Sequence, residues 1–187
     1  GILASAMCMD KSVANQVFDT VGIPQTPWLA MHRDETGDMD EVLRRVNATL
    51  AYPVFVKPAV GGSSVGVTKV KRPEDLHQAV LLATAHDQKI LFEQGVTGKE
   101  VESAVLGNRE PFASLPGEIE PCNEIYDYEA KYQSGDASKL HLPACIPQQK
   151  LEEARQLAVP AVCALNCFGL PRVDVFVEVR TEPALTN

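Results

Sequence analysis

The sequence lacks the features that mark membrane-spanning and exported proteins. No apolar run approaches the roughly 20 residues that a membrane-spanning helix needs. The N-terminal segment GILASAMCMD has neither the basic start nor the long apolar stretch of a signal peptide. We therefore expect a cytoplasmic protein with no membrane partner.

The chain is also short of positive charge. Its 187 residues carry 17 Lys and Arg against 25 Asp and Glu, for a net charge of −8. Nucleic-acid backbones are bound by clustered basic side chains, so we expect no nucleic-acid partner. A small anionic ligand is still compatible with this charge, because a few local lysines suffice to bind it.

Cysteine and histidine do not form the patterns of a disulfide framework or a metal cage. The five cysteines are an odd number without framework spacing, which favours reduced thiols. Cys163 and Cys167 lie one helical turn apart, but no second pair is near, so buried small hydrophobic side chains are the simpler interpretation. The four histidines are dispersed.

The sequence does contain enough apolar residues for a core, at 45% hydrophobic content, and it has no repeats. Apolar periodicity predicts helices over 10–21, 40–50, 72–87 and 148–167. Alternation predicts strands over 52–59, 65–70, 89–96, 100–108, 110–120 and 172–179. Residues 123–140 show no clear period and indicate a long ordered loop.

A stretch rich in glycine and serine separates two of the predicted strands. In VFVKPAVGGSSVGVTKV, residues 54–70, Lys57 ends the first strand and the small residues 61–64 follow shortly after. A loop of this kind presents several backbone N–H groups to one point, which suits phosphate oxygens. A flexible hairpin tip is the alternative.

Two common phosphate-binding motifs are excluded. The Gly98-Lys99 pair is followed by Glu100 and has no glycine five positions ahead, so it is not a P-loop. A dinucleotide fingerprint leads into a helix, whereas this loop joins two strands.

The last predicted strand concentrates charge on one face. Alternation in RVDVFVEV places Arg172, Asp174 and Glu178 on the same side. Magnesium sites are built from one or two carboxylates together with substrate phosphates, so this face is a candidate Mg²⁺ site. A solvated ion pair of little energetic value is the alternative.

Five blocks of sequence, in a fixed order, carry a family resemblance. The blocks are SAMCMDK, VFVKPAVGGSSVGVTKV, LFEQGVTGKEVESAVLGN, PGEI followed by IYDYEAKY, and RVDVFV. Together they resemble the D-alanine–D-alanine ligases of the ATP-grasp superfamily, and EAKY separates this group from other ATP-grasp enzymes. The resemblance implies an α+β fold in which two subdomains, residues 1–98 and 99–187, grip ATP between antiparallel sheets.

The resemblance also implies a nucleotide site. Two lysines and the backbone of the glycine loop would contact the phosphates, the hinge EQGV would contact adenine, and a glutamate after it would bind the ribose. The residues implied to bind ATP are Lys11, Lys57, Gly62, Ser63, Ser64, Glu93, Gln94, Val96, Glu100 and Lys131.

Four residues are implied to act on the reacting groups. Arg172 would stabilise the acyl phosphate and the tetrahedral oxygens. In the segment that resembles the family's omega loop, Lys131 would touch the γ-phosphate, and Tyr132 would help Ser63 to organise the amino-acid pocket.

The end of the chain departs from the family pattern. Asp174 and Glu178 are implied to hold Mg²⁺, or Mn²⁺ in its place. The family continues with a hairpin and a Glu-x-Asn motif, whereas Arg180 stands where the metal-binding asparagine is expected. Arginine has no acceptor atom to offer a cation. The family's first domain also has no counterpart, and with no initiator methionine or closing helix we expect part of a longer protein.

The implied activity is ATP-dependent joining of two D-alanines through a D-alanyl phosphate, for peptidoglycan precursor synthesis. Joining a carboxylate to an amine needs a leaving group on the carboxylate, which γ-phosphoryl transfer supplies, and a loop such as 123–140 suits a lid that excludes water. We expect small-molecule partners and a homodimer of the full-length protein. The alternatives are a D-serine or D-lactate acceptor, with EAKY favouring D-alanine over D-lactate, and a nucleotide-binding module without ligase activity.

Overall fold

Five α-helices lie in the part of the chain that the computed structural model describes, residues 1–121 and 138–178. They are α1 (Ile2–Met9), α2 (Lys11–Val21), α3 (Met39–Thr49), α4 (Leu76–His86) and α5 (Gln148–Ala164). The four helices that the sequence predicts are confirmed in outline. The sequence does not predict α1, because its residues are almost all apolar and show no helical period.

Local chemistry sets the two ends of α2. The Asp10 carboxylate accepts hydrogen bonds from the N–H groups of Ser12 and Val13, at 3.0 and 3.2 Å, as a helix N-cap does. Gly22 follows the last helical residue with a φ of 74°, a left-handed conformation that glycine adopts without a Cβ clash. Lys11 is therefore fixed as the first residue of the helix.

Nine strands in the described residues form two antiparallel sheets. The first sheet has the order β1-β4-β2-β3, and in the second β5 pairs with β6 and β7 on one side and with β9 on the other, while β8 pairs with β7. The strands are β1 (Trp28–His32), β2 (Val54–Pro58), β3 (Thr68–Val70), β4 (Lys89–Gln94), β5 (Lys99–Leu106), β6 (Phe112–Ala113), β7 (Gly117–Pro121), β8 (Ser138–His141) and β9 (Arg172–Val177).

The first sheet buries one face and leaves the other open. Alternation along β2 turns Val54 and Val56 toward a core shared with α3 and α4. Phe55 and Lys57 point to the opposite side, because successive side chains of a strand face opposite ways. This open face is the one that carries the predicted phosphate-binding lysine.

The second sheet has the same two-faced design. Val101 and Val177 pack against Leu151 and Ala154 of α5. Glu100 and Phe176, which are directly opposite each other in the register of β5 and β9, lie on the other face. Each of the two sheets is therefore covered by helices on one face and open on the other.

Several details differ from the sequence predictions. The strand predicted over 110–120 is divided into β6 and β7. β3 begins at Thr68 rather than at residue 65, because the chain turns through left-handed residues before it. β9 ends at Val177, which leaves Glu178 just beyond the strand. Residues 138–141 pair with β7 instead of continuing the predicted loop; the rest of that loop, with Lys131 and Tyr132, lies outside the described residues, as does Arg180.

No helix in the described ranges is both long enough and apolar enough to cross a bilayer. This finding agrees with the absence of long apolar runs in the sequence.

The connection between the two sheets leaves no room for a side chain at Gly98. A Cβ there would lie 2.6 Å from the Val177 carbonyl oxygen, at the end of the β5–β9 pairing. We expect Gly98→Ala to lower the free energy of unfolding by about 2 kcal/mol through overpacking, as measured by urea denaturation. Gly37→Ala is the control, because a Cβ at that position meets no atom within 4 Å. Equal effects of both substitutions would contradict this account.

Candidate active site

A cleft of about 790 Å³ lies between the open faces of the two sheets. Lys69, whose Nζ is 6.0 Å from the centre of the Phe55 ring, and Lys99 line this cleft beside the two lysines that the sequence singled out. Four glutamates line the cleft as well, so the positive charge that suits an anionic ligand is local to Lys11 and Lys57 beside the glycine loop. The predicted ATP-binding residues that line the cleft are Lys11, Lys57, Gly62, Ser63, Ser64, Glu93, Gln94, Val96 and Glu100.

Lys11 holds the base of the glycine loop. Its Nζ donates hydrogen bonds to the carbonyl oxygens of Pro58 and Ala59, both at 3.2 Å, and of Gly61 at 2.8 Å. Its backbone N–H also donates to Ala59, at 3.0 Å. An ammonium group has three protons to donate, so the observed carbonyls account for all of them.

The pKa of Lys11 is lowered from its ordinary value. Burial of the ammonium group is the largest cause, and the nearby charge of Lys57 adds to it, while Glu93 acts in the opposite direction. Two ammonium groups next to each other make this end of the cleft a place where an anion lowers the electrostatic energy.

Asp10 fixes the position of Lys11 from the other side. Besides capping α2, its carboxylate forms an ion pair with Lys89 of β4, with Oδ2 and Nζ 2.5 Å apart. Burial tends to raise the pKa of Asp10, but hydrogen bonds from Lys89, Ser12 and Val13 outweigh it and lower the pKa below its ordinary value. The start of α2 is therefore tied to the first residue of β4, an interior strand of the first sheet.

Lys57 and Glu93 form an ion pair across the open face of the first sheet. Their Nζ and Oε2 atoms are 2.5 Å apart, and the side chains are 19% and 21% exposed. In the register of β2 and β4, Phe55 is opposite Glu93, so the pair is diagonal. A phosphate that approaches Lys57 must compete with the Glu93 carboxylate.

The glycine loop has an unusual backbone. Ser63 and Ser64 have φ values of 52° and 60°, and two consecutive left-handed residues that are not glycine are uncommon. Short hydrogen-bonded turns connect Gly62 to Val65 and Ser64 to Val67, at 3.2 and 3.3 Å. Strained backbone of this kind clusters at ligand-binding loops.

The hinge between the sheets is packed closely against β2. The Gly95 N–H donates to the Pro53 carbonyl at 2.7 Å, and a Cβ on Gly95 would lie 2.9 Å from that oxygen and 3.2 Å from the Phe55 ring. The Gln94 side chain accepts a hydrogen bond from the N–H of Ala51 at 2.9 Å. The predicted adenine-contacting residues therefore have fixed positions at the rim of the cleft.

A buried carboxylate that the sequence analysis did not single out also lines the cleft. Glu118 is 5% exposed, and it accepts hydrogen bonds from Lys99 Nζ at 2.8 Å and from the Cys145 N–H at 2.9 Å. The hydrogen bond from Lys99 to Glu118 raises the pKa of Lys99. The sequence gives no signal for this pair, because it depends on how β7 aligns with β5.

Arg172 and Asp174 lie on the open face of the second sheet, beyond the residues that line the cleft. Arg172 donates to Asp174 through Nε at 2.7 Å and through one terminal nitrogen at 2.8 Å, and Glu102 lies 3.2 Å from the other terminal nitrogen. The hydrogen bonds to Asp174 raise the pKa of Arg172. The guanidinium is 60% exposed, so its pairing with Asp174 is open to exchange.

Family comparison identifies the chain. A family model described as the D-ala D-ala ligase C-terminus matches residues 17–187. The chain belongs to this family. The predicted α+β ATP-grasp fold is confirmed, because the structural neighbours are D-alanine ligases of that fold.

Two curated relatives of the D-ala D-ala ligase family match the whole length of this chain. The D-alanine–D-alanine ligases of Acetivibrio thermocellus and Thermoanaerobacter sp. are 46% and 44% identical to it over 100% of its length, and the match spans 50% and 52% of those proteins. The chain thus spans about half the length of the curated relatives that it matches.

Two solved structures resemble the fold. The VanG D-Ala:D-Ser ligase from Enterococcus faecalis has a TM-score of 0.81 at 36% identity, covering 93% of this chain and 50% of that one. The D-alanine-D-alanine ligase from Coxiella burnetii has a TM-score of 0.79 at 28% identity, covering 97% of this chain and 47% of that one.

The carboxylates predicted to hold Mg²⁺ have the oxygen donors that this cation prefers. Asp174 uses both oxygens to bind Arg172, and Glu178 is exposed beside a separate cavity of about 700 Å³. Among residues 1–121 and 138–178, no three His, Cys, Asp or Glu side chains form a metal cage. A magnesium site that completes its coordination with substrate phosphates does not need such a cage. The donor chemistry therefore fits Mg²⁺, while neither of the two cavities is lined by both Asp174 and Glu178.

The double role of Asp10 predicts a pH-dependent loss of stability in this D-ala D-ala ligase family chain. Asp10→Ala removes the cap of α2 and the partner of Lys89, whereas Asp38→Ala removes only the cap of α3. We expect Asp38→Ala to cost about 1 kcal/mol in the free energy of unfolding and Asp10→Ala to cost more at pH 7.

The pH dependence follows from the lowered pKa of Asp10. A carboxyl whose folded pKa lies below 3.8, its ordinary value, stabilises the fold fully above that pH and loses this effect as the pH falls through the folded pKa. Urea denaturation from pH 7 to pH 2 should show the cost of Asp10→Ala shrinking below 3.8. A cost equal to that of Asp38→Ala at pH 7 would contradict the proposed tie to β4.

Proposed function

We propose that the protein is an ATP-dependent ligase that joins two D-alanines through a D-alanyl phosphate, in the cytoplasmic synthesis of peptidoglycan precursors. The observation that carries the proposal is the convergence of Lys11, Lys57 and the glycine loop on one cleft, in a chain of the D-ala D-ala ligase family. The curated relatives from Acetivibrio thermocellus and Thermoanaerobacter sp. are named D-alanine–D-alanine ligases.

The nucleotide would lie across the hinge with its phosphates at the glycine loop. Lys57 would exchange the Glu93 carboxylate for phosphate oxygens, since charge-assisted contacts to phosphate are strong. Lys11 would act mainly by holding the loop, because its protons are engaged by carbonyls. The hinge residues 93–96 and Glu100 would contact adenine and ribose, and the subdomain boundary would fall between residues 98 and 99.

The chemistry would take place beside the open face of the second sheet. A D-alanine carboxylate oxygen attacks the γ-phosphorus, ADP leaves, and the amine of the second D-alanine then displaces phosphate from the acyl carbon. Arg172 would stabilise the oxygens that gain charge in both steps. Asp174 and Glu178 would hold Mg²⁺, which neutralises phosphate charge when bound.

Three further assignments belong to the same proposal. Ser63 and Tyr132 would organise the amino-acid pocket, and Lys131 would contact the γ-phosphate. The intact protein would be a homodimer, which light scattering on a size-exclusion column would test.

Lys57→Ala tests the phosphate site. We expect the Kd for Mg·ATP to rise by about 10- to 100-fold in the intact protein, because a charge-assisted contact to phosphate is lost, as measured by calorimetry. Lys71→Ala is the control, since Lys71 is an exposed lysine that follows β3 and does not line the cleft. Unchanged ATP affinity in Lys57→Ala would show that the phosphate assignment is wrong.

Arg172→Ala tests the catalytic assignment independently of ATP binding. We expect D-alanine-dependent phosphate release to fall by about 10² to 10³ in kcat, with the Kd for Mg·ATP within a few-fold of the parent. Arg155→Ala is the control, because Arg155 pairs with Glu152 on the exposed side of α5. A parent-like kcat in Arg172→Ala would show that Arg172 takes no part in the reaction, and it would not affect the assignment of the ATP site.

A D-serine acceptor is the second candidate, favoured by the likeness to the VanG D-Ala:D-Ser ligase. The curated D-alanine–D-alanine ligases, at 46% and 44% identity over the whole chain, support D-alanine as the first candidate. Phosphate release measured with each acceptor separates the two, and a higher kcat/KM with D-serine would reverse the order.

A further inference from the structure

Two cysteines that are distant in the sequence meet at the surface. The Sγ atoms of Cys8 and Cys167 are 3.6 Å apart, although the residues are 159 positions apart. At this distance the two sulfur atoms are in non-bonded contact. A disulfide bond would bring them to about 2.05 Å. Cys8 is exposed and Cys167 half-buried, which leaves the pair within reach of small molecules.

The backbone on both sides of this pair is held by the fold. Cys8 comes two residues before Asp10, which is fixed by its cap and its ion pair. The Cys167 N–H donates to the Val162 carbonyl at 3.0 Å. Gly169, two residues later, forms a backbone bridge to the residue that follows β5. The short distance therefore arises from packed elements rather than from a loose end.

The reduced pair is expected to persist as two thiols near neutral pH. Although Cys8 is exposed as a residue, partial burial of its thiol and its contact with Cys167 raise the pKa of Cys8 to about 11. A protonated thiol is a poor nucleophile, and joining two thiols also requires an oxidant that accepts two electrons.

We propose that Cys8 and Cys167 form a reversible disulfide when the protein meets a low-molecular-weight disulfide such as oxidised glutathione. One cysteine thiolate attacks a sulfur of the small disulfide, whose S–S bond breaks and releases one thiol after protonation. The second cysteine attacks the protein sulfur of the mixed disulfide and releases the second thiol. Two protein thiols are oxidised and one small disulfide is reduced.

The bond would connect the two sides of the cleft. Cys8 lies near the end of α1, shortly before Lys11, which holds the glycine loop. Cys167 lies shortly before β9, whose first residue is Arg172. A cross-link over so long a stretch of chain restricts the unfolded state strongly, and we expect Tm to rise by on the order of 10 °C. Intracellular disulfides are typically transient and redox-sensing, which fits a reversible link.

The test is a disulfide map of the intact protein after treatment with oxidised glutathione. Remaining thiols are blocked with N-ethylmaleimide, and trypsin digestion without reductant is followed by mass spectrometry. The expected product joins the peptide that ends at Lys11 to the peptide 156–172. Because that second peptide also contains Cys163, the map is repeated on Cys163→Ser, with Cys145→Ser as a matched control.

We expect the Cys8–Cys167 link in the parent and in both of these variants, and no such link in Cys8→Ser or in Cys167→Ser. Dithiothreitol should reverse both the link and the rise in Tm. Reduced Cys8→Ser should melt at the parent's temperature. Stable glutathione adducts without a link, a link from Cys8 to Cys163, or a link between molecules that depends on concentration would each overturn the proposal.

Discussion

The cleft depends on the hydrogen bonds that the Lys11 ammonium group donates to the glycine loop and to the residues just before it. Three carbonyls converge on one cation, and that cation is held in place because Asp10 caps the same helix and pairs with β4. Without this connection the loop would be a hairpin tip with two strained serines. With it, the loop is positioned above the open face of the first sheet, where Lys57 lies.

The charged pairs on the two open faces share one property. Lys57 forms an ion pair with Glu93, and Arg172 forms one with Asp174. Neither pair is fully buried, so a phosphate or carboxylate can replace one partner without leaving a charge stranded in the core, which would be costly. A site built in this way keeps its cations ordered and available. Glu118 and Lys99 differ, because the Glu118 carboxylate is buried and their contact fixes the second sheet beside the hinge.

Much of the fold follows from local patterns, and the rest follows from long-range pairing. The helix over 10–21 and the alternation in β2 are visible in the sequence, and so is the glycine loop. α1 is apolar on every side and β8 is short and polar, so neither has a readable period. The pairing of Lys57 with Glu93 depends on the register of β2 against β4, and the meeting of Cys8 with Cys167 depends on how α1 lies against the end of α5. No sequence spacing reports these alignments.

The central claim is that this cleft delivers the γ-phosphoryl group of ATP to a D-alanine carboxylate. The most direct test follows the oxygen atoms in the intact protein, supplied with ATP, Mg²⁺ and D-alanine labelled with ¹⁸O in its carboxylate. Attack by the carboxylate on phosphorus predicts that each phosphate released with a dipeptide carries one labelled oxygen. Phosphate without the label, formed at the same rate, would mean that water attacks the nucleotide, and it would contradict the acyl phosphate account.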